Sequence, residues 1–107
     1  DNMVLAVPGV KPGHVHVELY SKRQHVDIAA HDSPLACLAL SVDGTLLATA
    51  SEKGTLIRIW ATDSGTMIKE LRRGRDRAEV WSLAFNATAT AVCVCSDKNT
   101  AHIFMLP

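Results

Sequence analysis

Apolar residues along this chain fall in short runs with a period of two, separated by clusters of turn residues. Residues 14–20 show it most plainly. Val15, Val17 and Leu19 lie on one face, and His14, His16, Glu18 and Tyr20 on the other. That period belongs to a half-buried β-strand. Further short strands are predicted over 3–7, 26–30, 46–50, 55–60 and 67–71. Residues 35–40 form a near-continuous apolar run, which predicts a strand buried on both faces. The punctuation between runs is turn chemistry: the Pro- and Gly-rich loop 8–13, His31-Asp32-Ser33-Pro34, Ser41-Val42-Asp43-Gly44, Ser51-Glu52-Lys53-Gly54 and Thr62-Asp63-Ser64-Gly65.

The pattern then returns. Residues 80–85 match 35–40, 91–95 match 46–50, and Ser96-Asp97-Lys98-Asn99-Thr100 matches Ser51-Glu52-Lys53-Gly54-Thr55. His102-Ile103-Phe104 matches Arg58-Ile59-Trp60 at an offset one residue shorter than the rest. Short strands repeating every ~40–45 residues mark a WD-type β-propeller, in which each repeat is a four-stranded blade. His31-Asp32 stands where such repeats place Gly-His, and Trp60-Ala61 where they place Trp-Asp. The fold expected is all-β: a WD-repeat β-propeller fragment of about two and a half four-stranded antiparallel blades. Residues 1–30 would hold the end of one blade and the outer strand of the next, 31–74 a full blade, and 75–107 part of a third. A ring of 4–8 blades cannot close on that length. Both ends read as cut, and open sheet edges predict self-association or pairing with a partner fragment.

Composition narrows the function. The 107 residues carry 11 Lys plus Arg against 11 Asp plus Glu, a formal net charge of zero. A general nucleic-acid binder carries a basic excess, so no nucleic-acid partner is expected. Cys37, Cys93 and Cys95 sit in apolar runs, which suits a reducing, cytoplasmic setting rather than a disulfide framework. His14 and His16 share a strand face, as do Cys93 and Cys95, but neither pair has further ligands in sight, so no metal is expected. Trp60 and Trp81 read as blade core. No nucleophile–base constellation, Gly-rich nucleotide loop or carboxylate pair appears, so neither enzymatic activity nor a cofactor is expected.

The basic charge is local. Arg72, Arg73, Arg75 and Arg77 lie within six residues. If the strand over 67–71 runs on into the arginines, Arg72 and Arg73 point to opposite faces and can serve two separate pockets. Arginine grips phosphate through a bidentate fork. Gly74 lets the backbone turn, or a ligand approach closely.

Taken together, Ala30-His31, the stretch Ala50-Ser51-Glu52-Lys53-Gly54-Thr55-Leu56-Ile57-Arg58, Glu70-Leu71-Arg72-Arg73-Gly74 and Thr100-Ala101-His102-Ile103-Phe104 resemble the PROPPIN family of phosphoinositide-binding propellers that act in autophagy. The resemblance implies binding of phosphatidylinositol 3-phosphate and 3,5-bisphosphate through two pockets in consecutive blades. Carried over by motif, the first would comprise Thr49, Ser51, Gly54, Thr55, Arg58 and Arg72. The second would comprise Arg73, Gly74, Ser96, Thr100 and His102. Thr49 keeps the hydroxyl of the serine that relatives often carry there, whereas Cys95 is a poorer donor. The resemblance further implies phosphoinositide head groups and autophagy proteins as partners, and a peripheral place on autophagosomal or endosomal membranes. A protein–protein scaffold without lipid binding is the alternative, since fold does not fix function. His31 reads as structural, and His102 as either a ligand or a structural hydrogen-bonder.

Overall fold

The computed structural model describes residues 3–74, 78–97 and 101–106, with Trp81 described through its backbone alone. Ten strands are found among these residues: β1 Val4–Pro8, β2 His14–Leu19, β3 Gln24–Ala29, β4 Leu35–Leu40, β5 Leu46–Ser51, β6 Leu56–Ala61, β7 Met67–Arg72, β8 Val80–Phe85, β9 Ala91–Ser96 and β10 Ala101–Met105. They form three antiparallel sheets with the orders β1-β2-β3, β4-β5-β6-β7 and β10-β9-β8. The all-β architecture expected from the alternation is the one observed.

Each sheet buries one face against the next. Val15, Val17, Leu19 and Ile28 of the first sheet pack on Leu47 and Trp60 of the second. Ala48, Ala50, Ile57, Ile59 and Leu71, from the opposite face of the second sheet, pack on Val80, Leu83, Val92 and Val94 of the third. The four-stranded sheet is thus the middle layer, and its two faces have different tasks.

The internal repeat is visible in fine detail. The β4–β5 pair breaks register between Leu35 and Cys37, and the β8–β9 pair breaks it at the equivalent place, between Val80 and Ser82. Gly44 takes a positive φ of 76°, and Ala89, its equivalent in the next repeat, takes 57°. Ala50 faces Ile57 whereas Cys95 faces Ala101, so the connecting turn is one residue shorter in the second repeat. By register His102 therefore occupies the place of Arg58.

Two expectations need correction. The apolar strand β4 is not buried on both faces: Ala36 is exposed and its neighbours are only half-buried. It lies at the edge of its sheet, and full burial falls instead on β5, which has a strand on each side and a sheet on each face. Likewise, β3 is not the outer strand of the following blade. It pairs with β2 over six positions, from His14↔Ala29 to Leu19↔Gln24, and the outer strand of the middle sheet is β7.

Candidate functional site

The turn that ends β5 and starts β6 forms one wall of a small pocket. Gly54 N–H closes it onto Ser51 O at 3.0 Å, and Glu52 N–H ties it to Pro34 O at 2.8 Å. That second bond brings residues 31–33 alongside. The resulting pocket, about 90 Å³, is lined by His31, Asp32, Ser33, Ser51, Lys53, Thr55, Leu56 and Arg58. Gly54 is required here: its φ is +68°, and a Cβ would lie 1.7 Å from Ala78 O. Any side chain would push away the segment that leads into β8.

Of the first set of expected residues, Ser51, Thr55 and Arg58 line this pocket, and Gly54 shapes its turn. Arg72 is exposed and stands directly opposite Leu56 in the β6–β7 pair. Leu71, between Glu70 and Arg72 along the strand, is buried in the cluster shared with β8 and β9. Arg72 therefore shares its face with Glu70 and Arg58, on the pocket side. Arg58 is well held: Nε donates to Glu70 Oε1 at 2.9 Å and Nη1 to Ala30 O at 2.6 Å.

Thr49 does not line the pocket. It is fully buried beneath it. Its hydroxyl accepts the Trp60 indole N–H at 3.0 Å and bonds His31 Nε2 at 2.9 Å. His31 is itself buried, and burial first, then the Arg58 charge, hold its pKa below the ordinary 6.5. At neutral pH the pocket thus contains a neutral imidazole. Thr49 reaches the pocket indirectly, through that imidazole and through its bond to Arg58 O at 3.4 Å. Lys53, Ser33 and Asp32 join the pocket although no motif pointed to them. The only sequence signal was the position of Lys53 between Ser51 and Gly54.

The second set is less gathered. Arg73 turns away from Arg72: its backbone N–H bonds Thr55 O at 2.8 Å, and its Nε donates to Gly54 O. Among the described residues nothing lies within 4 Å of where a Gly74 Cβ would sit. Ser96 is buried at the end of β9, and His102 is half-buried on β10, stacked on Phe104 at 6.2 Å. Val94 faces His102, so Ser96 shares the His102 face of the third sheet. Thr100 lies outside the described residues, as do Lys98, Asn99 and the basic run Arg75-Asp76-Arg77. The two residues just before β8 are pinned: Ala78 N–H to Lys53 O at 3.2 Å, and Glu79 N–H to Asp97 Oδ1 at 3.0 Å.

Charge separates this pocket from a larger neighbour. A groove of about 630 Å³ runs along Leu35, Ala36, Glu52, Ala78, Glu79, Val80 and Asp97. Its three carboxylates oppose any anion, whereas at the small pocket Lys53, Arg58 and Arg72 outnumber Asp32 and Glu70 by one. The histidines on β2 have another use. His16 bonds Asp27 through Nδ1 and Glu18 through Nε2, both at 2.7 Å, and His25 stacks on it at 5.3 Å. No group of three or more His, Cys, Asp or Glu able to hold a metal occurs among the described residues.

Comparison with known proteins gives consistent results. A family model described as PROPPIN matches residues 1–107. Autophagy-related protein 18e of Arabidopsis thaliana is 48% identical over 103 residues, which is 96% of this chain and 28% of that protein. The structure of Kluyveromyces lactis Hsv2 superposes with a TM-score of 0.91 at 31% identity, over 95% of this chain and 34% of that one. A complex of KlAtg21 with the coiled-coil of AgAtg16 matches with a TM-score of 0.79 at 30% identity, over 99% of this chain and 36% of that one. The chain thus spans about a third of the length of the relatives it matches.

Proposed function

The chain belongs to the PROPPIN family, and on that footing we propose that it carries the phosphoinositide-binding part of a propeller recruited to membranes in autophagy. The ligands are the head groups of phosphatidylinositol 3-phosphate and 3,5-bisphosphate. One observation carries the reading: a pocket of about 90 Å³ gathers Arg58, Lys53 and the hydroxyls of Ser33, Ser51 and Thr55, with exposed Arg72 at its side. A phosphomonoester wants cations plus neutral donors, and it finds both here. In the first site Ser51, Thr55, Arg58 and Arg72 contact the head group, Gly54 keeps the turn tight, and Thr49 orients His31. The second site uses Arg73, Gly74, Ser96, Thr100 and His102, with His102 in the register position that Arg58 holds in the first. The protein acts without catalysing a reaction, from the cytoplasm, at autophagosomal or endosomal membranes. Autophagy proteins are its protein partners, a reading supported by the likeness to the KlAtg21–AgAtg16 complex.

Sedimentation with vesicles containing phosphatidylinositol 3-phosphate tests this. A basic side chain near an anionic bilayer contributes on the order of 1 kcal/mol, so Arg72→Ala with Arg73→Ala should weaken binding by about 2 kcal/mol, roughly thirtyfold. Arg72→Ala alone separates lipid contact from structure, because Arg72 is exposed whereas Arg73 also braces Gly54. Equal binding by parent and both variants would remove Arg72 and Arg73 from the site, and no binding by the folded parent or the full-length protein would remove the lipid reading and leave protein scaffolding in its place.

A further inference from the structure

The Arg58 guanidinium meets the pocket already engaged. Glu70 takes its Nε and the Ala30 carbonyl takes its Nη1. A guanidinium grips phosphate best through two adjacent nitrogens acting as a fork. With its one Nε–H given to Glu70, the fork that pairs Nε with Nη2 is closed, and the donors left among the described residues are the two N–H of Nη2 and the second N–H of Nη1. The two occupants differ in kind. Ala30 O is backbone and stays where the chain puts it. Glu70 is a side chain 42% exposed, able to swing into water at small cost. Its contact follows from register, since Arg58 and Glu70 stand directly opposite each other in the β6–β7 pair. Charge adds to the effect. Within and beside the pocket Asp32 offsets Lys53, and Glu70 offsets Arg58.

We propose that Glu70 is an internal competitor for phosphate: it holds the Nε tine of the Arg58 fork, must leave before a phosphomonoester is gripped through Nε and Nη2, and so tempers the affinity of the pocket. Arg72, two residues further along the same strand face, receives the incoming group while Glu70 withdraws. The proposal rests on the phosphate-binding reading of this pocket and adds to it the residue that tempers binding.

The test is Glu70→Gln, which keeps an acceptor for Arg58 and removes the charge. Parent and variant are compared on vesicles containing phosphatidylinositol 3-phosphate. In parallel, inorganic phosphate is titrated while the Arg58 Nε–H resonance is followed by NMR. Exposed ion pairs are weak, so the expected gain on vesicles is about two- to fivefold. The gain should vanish in an Arg58→Gln background. A variant that binds vesicles no better than a binding-competent parent overturns the role of Glu70 and leaves the lipid reading intact. So does a gain that persists without Arg58, since Glu70 would then act through the general field. If neither protein binds vesicles but phosphate shifts the Arg58 resonance more strongly in Glu70→Gln, the competitor role stands for free phosphate and the lipid reading falls. Silence in both arms removes both.

Discussion

Replacing Thr49 with valine should destabilise the protein by about 3 kcal/mol, although the two side chains have nearly the same shape. The hydroxyl is the shared partner in a buried network: it accepts the Trp60 Nε1–H at 3.0 Å and pairs with His31 Nε2 at 2.9 Å. Thr49 is fully buried, and both partners are more than nine-tenths buried. Valine leaves no cavity, so the hydrophobic term is close to neutral. What remains is the cost of orphaned polar groups, roughly 1–3 kcal/mol for each. Trp60 has no other acceptor among the described residues and bears the full penalty. His31 lines the pocket and can turn to water, so it bears the smaller share. Urea unfolding reads the effect. At a slope of about 1.5 kcal/mol/M the midpoint should fall by roughly 2 M with the slope unchanged. Thr49→Ser is the control, since it keeps the hydroxyl and loses one methyl, about 1 kcal/mol. A valine variant within 0.5 kcal/mol of the parent, or a serine variant as damaged as the valine one, would refute the reasoning. Loss of anion binding at unchanged stability would instead make Thr49 a direct ligand.

Other outcomes follow from backbone and charge. Ala89 holds a φ of 57° at the position that glycine takes in the preceding repeat; Ala89→Gly should relieve about 1 kcal/mol of that strain and raise the melting temperature by about 4–8 °C. His16 has its pKa raised above 6.5, chiefly by its hydrogen bond to Glu18 and next by that to Asp27, with His25 stacked beside it. The stabilisation from its protonated form is complete below pH 6.5 and disappears as pH rises through the folded-state pKa; an NMR titration should place the His16 midpoint above 6.5, and His16→Gln should remove that limb of the stability profile. His31 has the opposite sign: its pKa lies below 6.5, so its contribution is present above that pH and lost as acid protonates it in the folded state.

Much of the fold was legible because the strands announce themselves by alternation and the turns by glycine, proline and small polar residues. The apolar runs predict β4 and β8 to the residue. They fail on burial, because a run of apolar residues does not say whether another strand lies beyond it, and for β4 none does. The start of β3 at Gln24 was hidden for a related reason: polar residues joined the strand because β2 offered partners for them. At the site, Ser51, Thr55, Arg58 and Arg72 were reached through the family resemblance, with only the paired arginines conspicuous by themselves. Asp32, Ser33 and Lys53 were not, since charged and polar turn residues are usually solvated, and only the bond from Glu52 to Pro34 folds the two turns together. The facing of Arg58 and Glu70 needed the cross-strand register, which a sequence does not print. Thr49 stood out as a hydroxyl in an apolar strand, but its buried acceptor role required knowing that Trp60 and His31 converge on it.

The turn at residues 51–54 serves two masters. Ser51 and Lys53 face the first pocket, while the carbonyls of Gly54 and Thr55 carry Arg73, the leading residue of the proposed second site. Two binding events that lean on one turn have a structural route by which to be coupled. Whatever a head group in the first pocket does to the position or stiffness of that turn is passed to Arg73, and the transfer must run equally in reverse. Under the proposed reading, a favourable coupling of this kind would make occupancy climb more steeply than in proportion to the surface density of phosphoinositides, and an unfavourable one would make it climb less steeply.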